Sequence, residues 1–222
     1  GSAAEAWISR TTIEGDPRFA TLMESTRRNE ERNSGEQARR DFEAAMEKHK
    51  AVADKAKEEG KPAPRPPQSP EQWLKGNQRP GNIFAGVVHP TLGYGIKGVI
   101  WYQGESNAGR AWEYRALFPF MIEQWRKEWK KPELPFYWVQ LADFKAEVTE
   151  PGDSDWAELR EAQTRTMALP NTGQAVIIDL GEGKDIHPKN KHDVAARLVR
   201  WALAKDYGIQ IPYRSPEYKS ME

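Results

Sequence analysis

The sequence predicts an α/β protein built on a parallel sheet, and three observations carry that reading. Short β-branched and aromatic runs at 96–102 (IKGVIWY), 135–141 (PFYWVQL) and 174–180 (QAVIIDL) are apolar enough to be buried on both faces. Each precedes a longer stretch of helical character, at 110–129, 156–168 and 190–207. Strand and helix in strict alternation is what right-handed crossovers between parallel strands produce.

Taken in order, the remaining elements are as follows. Glu5-Ala6-Trp7-Ile8-Ser9-Arg10 ends a loop and opens a helix. Over 35–59, Phe42, Ala45, Met46, Val52, Ala53 and Ala56 recur at steps of three and four, an amphipathic helix whose charge run is a solvated face. Gly60 ends it, and Lys61-Pro62-Ala63-Pro64-Arg65-Pro66-Pro67 follows as a stiff connector without regular pairing. Together they form a helical excursion over about 35–75. In the helix at 110–129, Pro119 removes an amide and clashes one turn back, so a break is expected there. Trp112, Trp125, Trp129, Trp156 and Trp201 fall on helices, where core packing is the expectation.

Composition narrows the function. Lys plus Arg (33) equals Asp plus Glu (33), so no global field attracts nucleic acid or an anionic membrane. The chain has no cysteine, which excludes disulfides, thiolate nucleophiles and Cys-bound zinc. No run approaches the roughly 18 apolar residues of a membrane span. His187 and His192 are five apart and no HExxH pair exists, so metal chemistry has weak support.

In an open parallel sheet the strand C-termini share one crevice. Three ends offer polar residues there: Gln103-Gly104-Glu105-Ser106-Asn107, then Gln140 and Asp143, then Asp179 with Asp185-Ile186-His187-Pro188. An imidazole takes a proton from a hydroxyl near neutral pH, and a carboxylate on its other nitrogen fixes the tautomer. His187 and Asp185 supply both groups in one loop, with Pro188 suited to the first position of the following helix. Gln103 offers a neutral carboxamide for an oxyanion hole, with Glu105 beside it. Trp7 and Trp101 are candidates to stack on a sugar ring, with Gln140 and Asn107 as further binding groups. Ser106 in Gly104-Glu105-Ser106-Asn107-Ala108 is the alternative nucleophile of an α/β-hydrolase elbow.

The block Ile100-Trp101-Tyr102-Gln103-Gly104-Glu105-Ser106-Asn107, followed by Asp185-Ile186-His187-Pro188, resembles the sialate O-acetylesterase family of SGNH hydrolases. Stretches 5–7, 136–142, 156–163 and 188–191 support the likeness, which covers nearly the whole chain, the helical excursion included. It implies a flavodoxin-like three-layer α/β/α esterase domain over 1–212, with 213–222 leading to a β-rich domain. It further implies removal of O-acetyl groups from sialic acid or a glycan such as xylan, by a serine acyl-enzyme, without a cofactor, in the periplasm or outside the cell. A non-catalytic carbohydrate-binding or scaffold module is the alternative.

Carried over by this resemblance, His187 is the base and Asp185 its carboxylate. Asp179 is the fallback, because the usual SGNH spacing places the acid three residues before the histidine, where this chain has Lys184. Gln103 resembles the oxyanion carboxamide, and Gly1 the oxyanion-hole glycine. The family's nucleophile lies in a Gly-Gln-Ser-Asn-type block, which occurs nowhere in this sequence, so the chain is expected to be cut at both ends. A sheet missing its first strand exposes an edge, and association with a complementary N-terminal fragment or with itself is expected.

Overall fold

The computed structural model describes residues 1–216, 220 and 221. The segment read as entry to a β-rich domain includes Glu217, Tyr218, Lys219 and Glu222, which lie outside the described residues. The chain divides into two compact units, Glu5–Gly86 and Gly1–Ala4 with Val87–Glu222.

The unit Glu5–Gly86 is helical, with α1 (Arg10–Glu14), α2 (Ala20–Arg32), α3 (Gly35–Glu58) and α4 (Pro70–Leu74). The expected helix over 35–59 is α3, whose Glu36 in the first turn and Lys55 and Lys57 in the last complement its dipole. The proline connector folds back along it, His49 Nε2 donating to Pro64 O at 2.9 Å. A capping box starts α4: Ser69 Oγ accepts from Gln72 N, and Gln72 Oε1 accepts from Ser69 N.

One ionic cluster ties this unit together. Glu30 accepts from Arg10 Nη1 (2.8 Å) and Nη2 (3.1 Å) and from Arg79 Nε (2.7 Å), joining α2 to α1 and to the turn after α4. Burial alone would push the Glu30 carboxyl up, but the hydrogen bonds from Arg79 and Arg10 outweigh it and hold it below its ordinary value. Its contribution is thus complete above the unfolded carboxylate value of about 4.3 and is lost as pH falls through the depressed folded value. Glu30→Ala removes three charge-assisted bonds, leaving Arg10 with Glu14 and Arg79 with Leu74 O and Asn82, and is expected to cost about 2 kcal/mol, read from urea unfolding at pH 7. The deficit should shrink when the same titration is run near pH 3.

The second unit runs β1 (Val99–Trp101), a 3-10 turn at Glu105–Arg110, α5 (Ala111–Glu128), β2 (Phe136–Val139), α6 (Asp155–Arg165), β3 (Thr172–Ala175) and α7 (Lys191–Lys205). All strands are parallel in the order β1-β2-β3, with Val99 opposite Phe136 and Phe136 opposite Thr172. Alternation along the strands sorts the core into two layers of packing. Trp101, Phe136 and Trp138 meet Phe118 of α5, while Tyr137 and Val139 pack with Leu198 and Trp201 of α7. Helices therefore cover both faces, in three layers.

Four expectations are corrected. The third strand is Thr172–Ala175, earlier than 174–180, because Ile177 leaves the extended region (φ −136°, ψ 24°) and Leu180 N bonds back to Ile177 O at 2.9 Å. That apolar run exists because Ile177 is buried in the core under α7. Helix α5 passes through Pro119 without a break. Leu117, Phe118, Met121 and Ile122 are fully buried around it, and that packing outweighs the roughly 3 kcal/mol an internal proline costs. Pro188 is three residues ahead of the first turn of α7, which is capped instead by Asn190 Oδ1 accepting from Asp193 N (3.2 Å). Trp112 is 65% exposed, unlike Trp125, Trp156 and Trp201, which are in the core.

Candidate active site

Beyond the C-terminal end of the sheet, a cavity of about 310 Å³ is lined by Gly1, Ser2, Tyr102, Gln103, Glu105, Ile186, His187 and Lys191. The structure thus brings together four sequence-predicted residues: Gly1, Gln103, Glu105 and His187. Asp185 stands behind the histidine. Its Oδ1 accepts from His187 N at 2.9 Å and lies 3.7 Å from His187 Nδ1. The carboxylate therefore fixes the backbone turn that presents the imidazole and faces the ring nitrogen without bonding to it.

Asp179 is engaged elsewhere. Arg197 of α7 holds it with two parallel bonds, Nη1 to Oδ1 and Nη2 to Oδ2, each 2.6 Å. Those bonds keep the Asp179 carboxyl below its ordinary range. Asp179 is thus paired with Arg197, whereas Asp185 is the carboxylate that faces the His187 ring.

Gln103 is buried and differently occupied from the expected oxyanion donor. Its Nε2 donates to Ser2 O (2.9 Å) and to Asn107 Oδ1 (2.7 Å), and its Oε1 accepts from Tyr114 OH (3.1 Å). Both amide hydrogens are committed, so the carboxamide positions the Gly1–Ala4 segment rather than donating into the cavity. Asn107 completes the lacing, since its Oδ1 also accepts from Ala4 N at 2.9 Å. It is almost fully buried, which removes it from the substrate-binding set.

Three other candidates are not part of this cavity. Trp101 is buried among Phe118, Trp125 and Phe136, a core residue. Gln140 donates to Thr164 Oγ1 (3.1 Å) and lines a separate cavity with Gln174 and Trp201. Trp7 belongs to the unit Glu5–Gly86 and is not among the lining residues. The elbow reading of Ser106 is also corrected. This serine lies inside the 3-10 turn Glu105–Arg110, and the non-glycine residues with positive φ among those described are Lys130, Lys145 and Asn171. A nucleophile elbow holds its serine on a sharp, strained turn, and Ser106 has none of that strain. Gly104 lies against Leu159, whose Cδ2 is 2.6 Å from where a Cβ would stand.

Sequence reasoning missed three residues that shape the site. Tyr102 lines the wall, and burial, with Glu105 nearby, pushes its hydroxyl up to about 12, so it stays protonated and is no base. Lys191 rests its ammonium over the Tyr102 ring, 5.1 Å from the centroid. It follows His187 by four residues, the one hint its position offered. Gln163, wholly buried, donates to Gln103 O (3.1 Å) and accepts from Leu141 N (2.9 Å), joining the ends of β1 and β2. Among the described residues no group of three His, Cys, Asp or Glu side chains is placed to hold a metal ion. No described helix is long and apolar enough to cross a membrane.

The fold is a parallel α/β sheet with helices on both faces, and an acid-flanked histidine stands in the crevice beyond its strand ends. The chain belongs to the carbohydrate esterase family of sialic acid-specific acetylesterases, whose model matches residues 68–201. It is 33% identical to the mouse sialate O-acetylesterase over 172 residues, 69% of this chain and 31% of the relative. The human sialate O-acetylesterase is 31% identical over 157 residues, 63% of this chain and 30% of that protein. The crystal structure of a carbohydrate acetylesterase from Xanthomonas citri is 50% identical with a TM-score of 0.61, covering 65% of this chain and 34% of the other. The chain thus spans about a third of the length of these relatives.

Proposed function

We propose that this chain carries the base of a serine esterase that removes O-acetyl groups from carbohydrates. The observation that supports it most is the His187 imidazole, backed by Asp185, at a cavity beyond the strand ends of a family member. In this reading a serine hydroxyl attacks the acetyl carbonyl and His187 accepts its proton. The imidazolium then protonates the departing sugar oxygen, and water, deprotonated by the same histidine, releases acetate. Asp185 favours the imidazolium, and Gly1 is the oxyanion contact this chain contributes. The nucleophile is a serine of a Gly-Gln-Ser-Asn-type block that these 222 residues do not contain.

Acetate release from O-acetylated sialic acid and from acetylated xylo-oligosaccharides by the full protein tests the activity and ranks the two sugar classes. The 222-residue chain alone is expected to leave p-nitrophenyl acetate unhydrolysed. Hydrolysis abolished by Ser2→Ala would refute the external nucleophile, since Ser2 is a lining residue of the same cavity. By resemblance to the family we place the protein in the periplasm or outside the cell.

The partner follows from the sheet edge. Among the described residues β1 pairs with β2 alone, and Ile100 at its centre is 70% exposed. An open edge with a bare apolar side chain favours a further strand. We propose that a complementary segment or a second copy covers it, and light scattering that finds a stable monomer of the isolated chain would remove this proposal.

A further inference from the structure

We propose that Asp179 and Gly181 are positioning residues that hold the His187 loop to the rest of the sheet unit; the proposal rests on the reading of His187 as the base. The loop leaves β3 at Val176 and reaches α7 at Lys191, a span with no regular strand or helix to set where the imidazole stands beyond the short 3-10 turn Ile178–Leu180. Two contacts supply the constraint. Arg197, in the second turn of α7, grips both Asp179 oxygens at 2.6 Å and donates to Val176 O at 3.0 Å, fastening the start of the loop to the helix at its end. Gly181 then lies flat on the backbone of Asp143: a Cβ there would stand 2.3 Å from Asp143 O and 2.4 Å from Asp143 N. Its φ of −77° suits any residue, so the glycine is demanded by this close approach alone.

From these holds to the histidine the loop is internally tied. Asp185 N donates to Glu182 O (2.9 Å), Glu182 Oε1 accepts from Lys189 N (3.2 Å), and Asp185 Oδ1 accepts from His187 N (2.9 Å). A shift at either hold is therefore carried to the imidazole. The Arg197 bonds also hold the Asp179 carboxyl below its ordinary range, so the pair stays charged through neutral pH.

The test uses Asp179→Asn, the swap Asp179→Arg with Arg197→Asp, and Gly181→Ala in the full protein, with His187→Ala as control. Hydrogen exchange over residues 182–187 is read alongside kcat, KM and the pH profile. An exposed pair allows only a modest effect: Asp179→Asn should speed exchange and lower kcat about five-fold, with KM and the pH profile unmoved. The swap should restore both. Gly181→Ala, which must displace backbone, should loosen the same amides by about ten-fold or more. A loss near 10⁴-fold in Asp179→Asn that the swap fails to rescue would make Asp179 the catalytic carboxylate and overturn the proposal. Unchanged exchange in Asp179→Asn and Gly181→Ala would overturn it equally. Exchange reports on the holds whether or not the protein hydrolyses esters. Full activity in His187→Ala would instead refute the reading of His187 as the base.

Discussion

Replacing His187 by alanine is expected to lower kcat/KM on acetyl esters by about 10⁴-fold, the upper range for loss of a positioned general base. The magnitude follows from the absence of a substitute at the cavity. Tyr102 stays protonated because burial pushes its hydroxyl up to about 12, and Lys191 rests over its ring as a cation. Glu105 is the remaining titratable side chain among the lining residues, and a carboxylate is a much weaker base than imidazole near pH 7. Asp185→Asn separates the two tasks of the partner. Asparagine keeps an oxygen for His187 N, so the turn survives, while the charge 3.7 Å from Nδ1 is lost. That loop is open to water, where such a pair is worth about 1 kcal/mol, and the variant should lose about five-fold rather than 10⁴-fold. Steady-state kinetics of the two variants on one acetylated sugar checks both figures. Equal losses would mean that Asp185 sets the tautomer as a buried triad acid does.

The contrast between these variants shows what the sequence conveyed. The run at 135–141 was legible as a buried strand because β2 is covered on both faces, and its four residues are all buried. The placing of Asp185 and His187 beyond β3 was legible for the same reason, since any polar loop after such a strand opens on the crevice. Long-range contacts were hidden. The donors of Gln103 are occupied by Ser2 O, 101 residues away, and by Asn107, whose own oxygen also serves Ala4 N; nothing local announces that a carboxamide suited to an oxyanion will be used to lace a chain segment. Asp179 likewise had the composition of a triad acid, and its capture by Arg197 depends on how α7 packs back over β3. Pro119 shows the reverse failure. A local rule was correct about cost and wrong about outcome, because four large buried side chains surround it.

The same α7–β3 packing sets the largest expected effect on stability. Gly173 sits in β3 opposite Tyr137, and a Cβ there would stand 2.3 Å from Trp201 Cε3 and 2.4 Å from Cδ2. The indole cannot retreat freely. Its Nε1 donates to Gln174 O at 3.0 Å, one face stacks on Tyr137 at 5.9 Å, and Tyr213 meets it edge-on at 4.9 Å. Gly173→Ala adds one methyl to a filled space, and is expected to cost about 3 kcal/mol, at the upper end for overpacking. For a chain of this size that lowers the melting temperature by about 9 °C. Strand propensity works the other way, since alanine restricts the unfolded chain more than glycine, so a measured loss below about 1 kcal/mol would mean that Trp201 has an alternative seat. The double variant Gly173→Ala with Trp201→Leu decides between them. If the clash is the cause, the alanine costs much less once the indole is gone, and the cycle yields a coupling of about 2 kcal/mol. Additive losses would place the damage in the strand pairing instead. The result bears on function as well as stability, because Trp201 and Arg197 lie on one helix, and the helix that Gly173 admits is the one that clamps Asp179.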